Sequence, residues 1–148
     1  MPDSDLTPAT RAAQMRAFVV ADWLELDQLT VAFANHPHSV LRGHETGLIM
    51  MRGRMGGTGA QCNFGEASVT RCTVRLSDGT EGHAYLTGRN AAHTHRAALC
   101  DALLQAGEVQ LNHVANTLEA SITKRQHTAA AKAATTKVDF FTMVRGDV

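Results

Sequence analysis

The spacing of apolar residues changes twice along this chain, dividing it into helical flanks around a strand-rich centre. At the N-terminal end, Thr7-Pro8 places a capping hydroxyl before a proline at the first helical position. Asp22 and Glu25 then give a capping-box-like restart, and Trp23, Leu26, Leu29, Thr30 and Phe33 follow at helical spacing. Asn35-His36-Pro37 ends that stretch, because proline lacks a donor and restricts the residue before it. The pattern over 38–42 and 46–55 predicts two strands. Leu48-Ile49-Met50-Met51 is apolar at four successive positions, as expected of a central strand covered on both faces.

The sharpest local signal is Ser77-Asp78-Gly79-Thr80. Asp-Gly between alternating runs predicts a two-residue hairpin turn at 78–79, since both central residues must accept positive φ. That turn sets Val74 opposite His83 and Cys72 opposite Tyr85 on a core-like face. Arg71, Thr73 and Arg75 then oppose Leu86, Ala84 and Gly82, so two arginines share a face flanked by small residues.

Gly88-Arg89-Asn90 opens the next helix. It carries Ala91, His95, Ala98, Leu99, Ala102, Leu103 and Ala106 on one stripe and stops at Gly107. Leu111, Ala115, Leu118 and Ile122 mark a further helix. Residues 127–137 are mostly Ala, Thr and Lys without an apolar period, which reads as a weak helix or a tether. An apolar and aromatic end follows at 138–148. It either closes the chain's own sheet or docks on a partner. The expected fold class is α+β. A central antiparallel sheet spans about 38–87, with N-terminal and C-terminal helices, in one domain over 1–148.

Composition narrows the function classes. Lys plus Arg is 14 and Asp plus Glu is 14 in 148 residues, so the formal charge is zero. That balance disfavours a protein built to coat nucleic acid or an anionic membrane. No apolar run approaches a membrane span, and the acidic start has neither region of a secretory signal, so a cytoplasmic protein is expected. Three cysteines (Cys62, Cys72, Cys100) without a C-x-x-C encode neither a disulfide framework nor a cysteine-ligated metal or cluster.

Candidate chemistry concentrates where the glycines do, ten of the twelve lying between Gly43 and Gly88. Arg54-Met55-Gly56-Gly57-Thr58-Gly59 resembles a phosphate cradle, because glycines let backbone N–H groups approach an anion. It lacks the spacing and lysine of a P-loop, and a sharp turn between strands is the plainer reading. From Arg42 to Arg96 there are seven arginines, no lysine and four acids. Arg54, Arg71, Arg75 and Arg89 suit carboxylates, phosphates or buried interfaces. Eight histidines suggest a metal, but His93 and His95 sit about 200° apart on a helix and no third ligand is spaced for zinc. No metal site is expected, and His95 reads as a hydrogen-bonded core residue. Glu45 before Thr46-Gly47 has the chemistry of a general base, although an acid there is usually a cap or a surface charge. Neither G-x-S-x-G nor a linked Cys–His pair marks a nucleophile, so no catalytic residue is assigned.

Read together, several strings resemble one family. They are Arg42 with Glu45-Thr46-Gly47-Leu48, Arg54-Met55-Gly56-Gly57-Thr58-Gly59, Thr70-Arg71, Val74-Arg75-Leu76-Ser77-Asp78-Gly79-Thr80, Gly88-Arg89 and Val138-Asp139-Phe140-Phe141-Thr142-Met143-Val144-Arg145-Gly146. They look like the G subunit (PhnG) of the bacterial carbon–phosphorus lyase system. The resemblance covers about residues 42–106 and the last eleven.

It implies a subunit of a phosphonate-degrading core with H, I and J subunits. Together with an L subunit, G, H and I displace adenine from ATP with an alkylphosphonate, giving a ribose 1-phosphonate 5-triphosphate. ATP would then be a substrate of the assembly, and no cofactor is expected on this chain alone. Arg54, Gly56, Gly57, Thr58, Gly59, Arg71, Arg75 and Arg89 become candidates to face an anion or substrate. Val138, Asp139, Phe140, Phe141, Met143 and Arg145 become a candidate partner interface. The rival readings are an autonomous phosphate- or nucleotide-binding protein, using the 54–59 loop with Arg71 and Arg75, and a plain homodimeric interaction module.

Overall fold

The computed structural model describes residues 8–138. Helix α1 (Pro8–Val20) is followed by α2 (Trp23–Thr30), which starts where Asp22 accepts the Leu24 N–H at 2.9 Å. A 3₁₀ turn over Val31–Phe33 ends that helical segment before Pro37. Three antiparallel strands follow, β1 (His38–Arg54), β2 (Gln61–Leu76) and β3 (Glu81–Thr87), in the spatial order β1-β2-β3. Helix α3 (Ala91–Gln105) begins at Asn90, whose side chain accepts the His93 N–H, and α4 (Gln110–Thr135) completes the described chain. Helices before and after an antiparallel sheet make the fold α+β, as the patterning implied.

Five local expectations are corrected. The two predicted strands over 38–55 are one, because register shifts at Val40/Arg42 and Arg42/Glu45 absorb extra residues as bulges without ending the pairing. The hairpin loop holds three residues, 77–79, closed by Leu76 N–H to the Thr80 carbonyl at 2.9 Å, with Gly79 at φ 90°. One extra loop residue shifts the register by one. Arg71 therefore faces Tyr85, Thr73 faces His83 and Arg75 faces Glu81, while Cys72 faces Ala84 and Val74 faces Gly82. The face of β2 was read correctly and that of β3 was inverted, so the arginines lie among polar and aromatic neighbours instead of small ones.

The third correction concerns Leu48, Ile49, Met50 and Met51. β1 is an edge strand, and these residues are 61%, 37%, 53% and 40% exposed. The fourth is His95, which is half-buried at the rim of the sheet and not in the core.

The core lies between one face of the sheet and the helices. Cys72, Val74, Leu76 and Ala84 meet Ala98, Leu99, Ala102 and Leu103 of α3, with Ala17 and Phe18 of α1 and Leu111, Ala115 and Leu118 of α4 behind them. The fifth correction is α3, expected to bury one stripe: every residue from Ala97 to Leu104 is buried, so it is covered almost all round there, while Ala91 at its start is exposed. Gly82 lets α3 approach β3. A Cβ there would lie 2.7 Å from Ala102 Cβ and closer still to the Ala98 carbonyl oxygen. On α4 the residues Leu111, Ala115, Leu118 and Ile122 are buried as expected, and from Thr123 onward every described residue is exposed. Residues 127–135 continue α4, taking the helical one of their two readings.

Asp101 ties these layers together. It is 1% exposed, accepts Arg11 Nε at 3.0 Å and the second guanidinium nitrogen at 2.9 Å, and accepts the His83 N–H at 2.9 Å. Its carboxylate holds the Arg11 pKa above the ordinary guanidinium value through that bidentate hydrogen bond. Gln105 donates to the Glu81 carbonyl at 2.6 Å, so two side chains of α3 occupy the outer edge of β3.

Candidate functional site

Beyond the part of β2 that pairs with β3, β1 and β2 continue as a two-stranded ribbon. It runs through the pairs Leu48 with Ser68, Ile49 with Ala67, Met50 with Glu66 and Met51 with Gly65. Direct partners share a face, and β2 alternates. Leu48 and Met50 therefore lie on the helix side of the sheet with Thr70, and Ile49 and Met51 lie on the opposite side with Arg71. The helix-free side is apolar, with Ile49, Met51 and Ala67, the other side sets Leu48 and Met50 beside Ser68 and Glu66, and neither is covered. A register shift between Met51 and Arg52 leaves Phe64 as an extra residue on β2, with its ring over Gly53.

The glycine-rich motif forms the ribbon's tip. A 3₁₀ turn spans Met55–Gly57, with Gly56 at φ 60° and Gly57 at φ 81°, values that favour glycine. Gly59 N–H donates to the Met55 carbonyl at 2.9 Å, and the Arg54 guanidinium donates to the Gly59 carbonyl at 3.1 Å. The motif is thus a strand-to-strand turn, the plainer of its two sequence readings. It presents Thr58 and Arg54 at an exposed end.

At the base of the ribbon a concavity of about 350 Å³ opens on the helix-free face between Glu45, Ile49, Val69, Arg71 and Tyr85. Arg71 donates from Nε to Glu45 at 2.8 Å and forms an ion pair with it at 2.6 Å. Arg75 is held by Glu81 at 2.5 Å, and that hydrogen bond keeps the Glu81 carboxyl below the usual carboxylate range. Both arginines therefore have carboxylate partners within the chain. Arg54 lies nine residues along β1 from Glu45, about 30 Å at the rise of a strand. The 54–59 loop and Arg71 with Arg75 do not converge on one anion, and the geometry does not favour the autonomous-binder reading. Arg89 is exposed in the turn between β3 and α3. Of the candidate interface residues, Val138 is described and exposed. Asp139, Phe140, Phe141, Met143 and Arg145 lie outside the described residues.

Two arrangements escaped the sequence reading. His38 on β1 and His95 on α3 approach with Nε2 atoms 2.9 Å apart, and the His44 ring lies 6.0 Å from His95 between centroids. His38 Nδ1 donates to the His36 carbonyl, so the proton between the two rings sits on His95 when both are neutral. Burial, then the neighbouring His38, His44 and Arg96, hold the His95 pKa below its ordinary value. No group of three or more His, Cys, Asp or Glu placed to hold a metal is found among the described residues.

The second arrangement is structural. His93 Nε2 donates to the Phe18 carbonyl at 2.7 Å with its ring 5.7 Å from Trp23, and Arg96 bridges Asp27 and Thr30. Among the thiols, burial raises Cys72 and pushes Cys100 up to about 12, which leaves little thiolate at either. Cys62 is exposed on the ribbon.

Known proteins agree with the resemblance of the motifs. The family described as phosphonate metabolism protein PhnG matches residues 9–146. A protein of Rhizobium meliloti (strain 1021) is 40% identical over 146 residues, covering 97% of this chain and 94% of that protein. It is the alpha-D-ribose 1-methylphosphonate 5-triphosphate synthase subunit PhnG.

Proposed function

The chain belongs to the PhnG family of phosphonate metabolism proteins, and from that premise we propose that it is an accessory subunit of a carbon–phosphorus lyase core assembly in the cytoplasm. With the H, I and L subunits it supports displacement of adenine from ATP by an alkylphosphonate, giving a ribose 1-phosphonate 5-triphosphate. The J subunit completes the core. The isolated chain is not expected to turn over substrate.

The observation that supports a subunit role is the bare apolar run Leu48, Ile49, Met50 and Met51. Four successive large apolar residues on an uncovered ribbon are a liability for a solitary monomer, and contact with another chain removes it. Within the assembly, Arg54 and the turn at Gly56, Gly57, Thr58 and Gly59 are the best placed to reach an anion at the end of the ribbon. Arg89 is a second exposed candidate. Arg71 and Arg75 act first on Glu45 and Glu81, and they meet substrate or another subunit with the guanidinium donors those carboxylates leave over. Residues 138–148 serve as a second docking segment.

Adenine release from ATP and methylphosphonate tests the reading. The purified chain alone is expected to be inactive, and adding it to the H, I and L subunits is expected to restore release. Turnover by the solitary chain would overturn the subunit role. Deleting 138–148 is expected to weaken co-purification while the fold persists, and a truncated chain that unfolds alone would make the tail part of the core.

A further inference from the structure

The two outer edges of the sheet are treated differently. On β3, Asp101 accepts the His83 N–H and Gln105 caps the Glu81 carbonyl, so that edge is closed by α3. On β1 no described group caps the outer edge from Gly47 to Arg52, and exposed large apolar residues of β1 lie on both faces of the ribbon there, Leu48 and Met50 beside Ser68 and Glu66 on one and Ile49 and Met51 beside Ala67 and Gly65 on the other. Proteins that expose an edge strand usually shorten, charge or cover it, and an isolated two-stranded ribbon is marginal in water. Here the uncovered edge is long and carries Leu48, Ile49, Met50 and Met51.

Resting on the subunit reading above, we infer that the β1–β2 ribbon inserts into a cleft of a different polypeptide of the synthase. That partner adds a strand along the outer edge of β1 and buries the apolar residues on both faces. Residues 1–7 and 139–148, the parts of this sequence outside the described residues, are two short segments, and each can line one edge or one face, so together they do not line all three surfaces. A second copy fits poorly for reasons of charge. Antiparallel pairing of two β1 strands over their full length sets the Arg52 and Arg54 end of one against the His38 and Arg42 end of the other. Glu45, the only acid on β1, is already engaged by Arg71. The complementary partner is apolar where Leu48, Ile49, Met50 and Met51 lie, offers a donor to Glu66 and carries a carboxylate where Arg52 arrives.

Hydrogen exchange tests this on the unmodified protein, comparing the isolated full chain with the chain co-expressed with the other synthase subunits. Backbone amides over 46–54 are expected to slow by more than tenfold on assembly. Ile49→Lys combined with Met51→Lys is expected to lower recovery of the complex by more than tenfold, with the thermal transition of the isolated chain unchanged. A complex that forms with no added protection over 46–54 overturns the insertion and leaves the subunit role standing. Failure of the wild-type chain to form any complex overturns the subunit role and the insertion with it. Slow exchange of the outward-facing amides over 46–54, those not bonded to β2, already present in the isolated monomer would make the chain's own terminal residues the occupant. A stable dimer dissociated by the double substitution would make the occupant a second copy. Either result overturns the inference.

Discussion

At Gly82, where β3 meets α3, a single added methyl would collide with helix backbone, whereas at Gly47 and Gly65 on the ribbon the same methyl would meet nothing within 4 Å. One sheet thus contains two environments. Around β3 and the C-terminal half of β2, one face is packed and the free edge is capped by buried side chains. Along 47–54 and 61–68 the same strands continue without helices, and residue choice answers to something outside the described chain. Apolar residues therefore carry different information in the two regions. In the first they report the chain's own core, and in the second they report a missing neighbour.

The contrast is broken most strongly at Asp101. Asp101→Ala strands Arg11, the His83 N–H and part of Gln105, and is expected to cost about 3 kcal/mol in chemical denaturation. Glu45→Ala, at the base of the ribbon, removes an exposed ion pair and is expected to cost less than about 1 kcal/mol. Equal costs would mean that the ribbon is as tightly held as the core. A somewhat smaller gap is expected between glycines. Gly82→Ala should destabilise by about 2 kcal/mol through overpacking, while Gly47→Ala and Gly65→Ala stay within about 0.5 kcal/mol.

Thiol chemistry sharpens the same division kinetically. Cys62 on the ribbon should react with an aromatic disulfide reagent at pH 8 at least about a hundredfold faster than Cys72 or Cys100, whose thiols are buried and raised. Comparable rates for all three would show that the core opens readily.

The smallest effect concerns the junction of β1 with α3. His95 has a folded pKa below its unfolded value of about 6.5, so the neutral ring is the one the fold favours. Its contribution is complete above about pH 6.5 and is lost as pH falls through the folded value. The denaturant midpoint should therefore decline slightly between pH 7 and 5.5, and His95→Gln should flatten that decline. A midpoint that rises on acidification would contradict the assignment.

Much of the fold was legible in local pattern. The Asp22 and Asn90 caps, the stop before Pro37, the face of β2 and the buried series on α4 depend on neighbours within a few residues. The register of β3 was legible too, but in a different signal. Gly82, Ala84 and Leu86 alternate with Glu81, His83, Tyr85 and Thr87, and that small-or-apolar series marks the packed face. Asp-Gly alone does not distinguish a two-residue loop from a three-residue one, and the distinction moves every partner by one position. Arg11 with Asp101 offered only the hint of a lone acid in an apolar helix run. His38 with His95 is separated by 57 residues and left no local trace.

Local pattern along the chain was enough for the order and type of the elements, the place of the turns and membership of a family whose motifs, among the described residues, lie on the strands and the turns. Those properties arise from backbone propensity and periodicity, which act over one or two turns of chain. Packing in three dimensions was needed to show that residues 48–51 lie bare and that Arg71 and Arg75 already hold carboxylates. It also decided that the glycine-rich turn stands about 30 Å along the strand from those arginines. Burial and pairing depend on what lies across space from a residue, and periodicity along the chain does not say whether that place is filled.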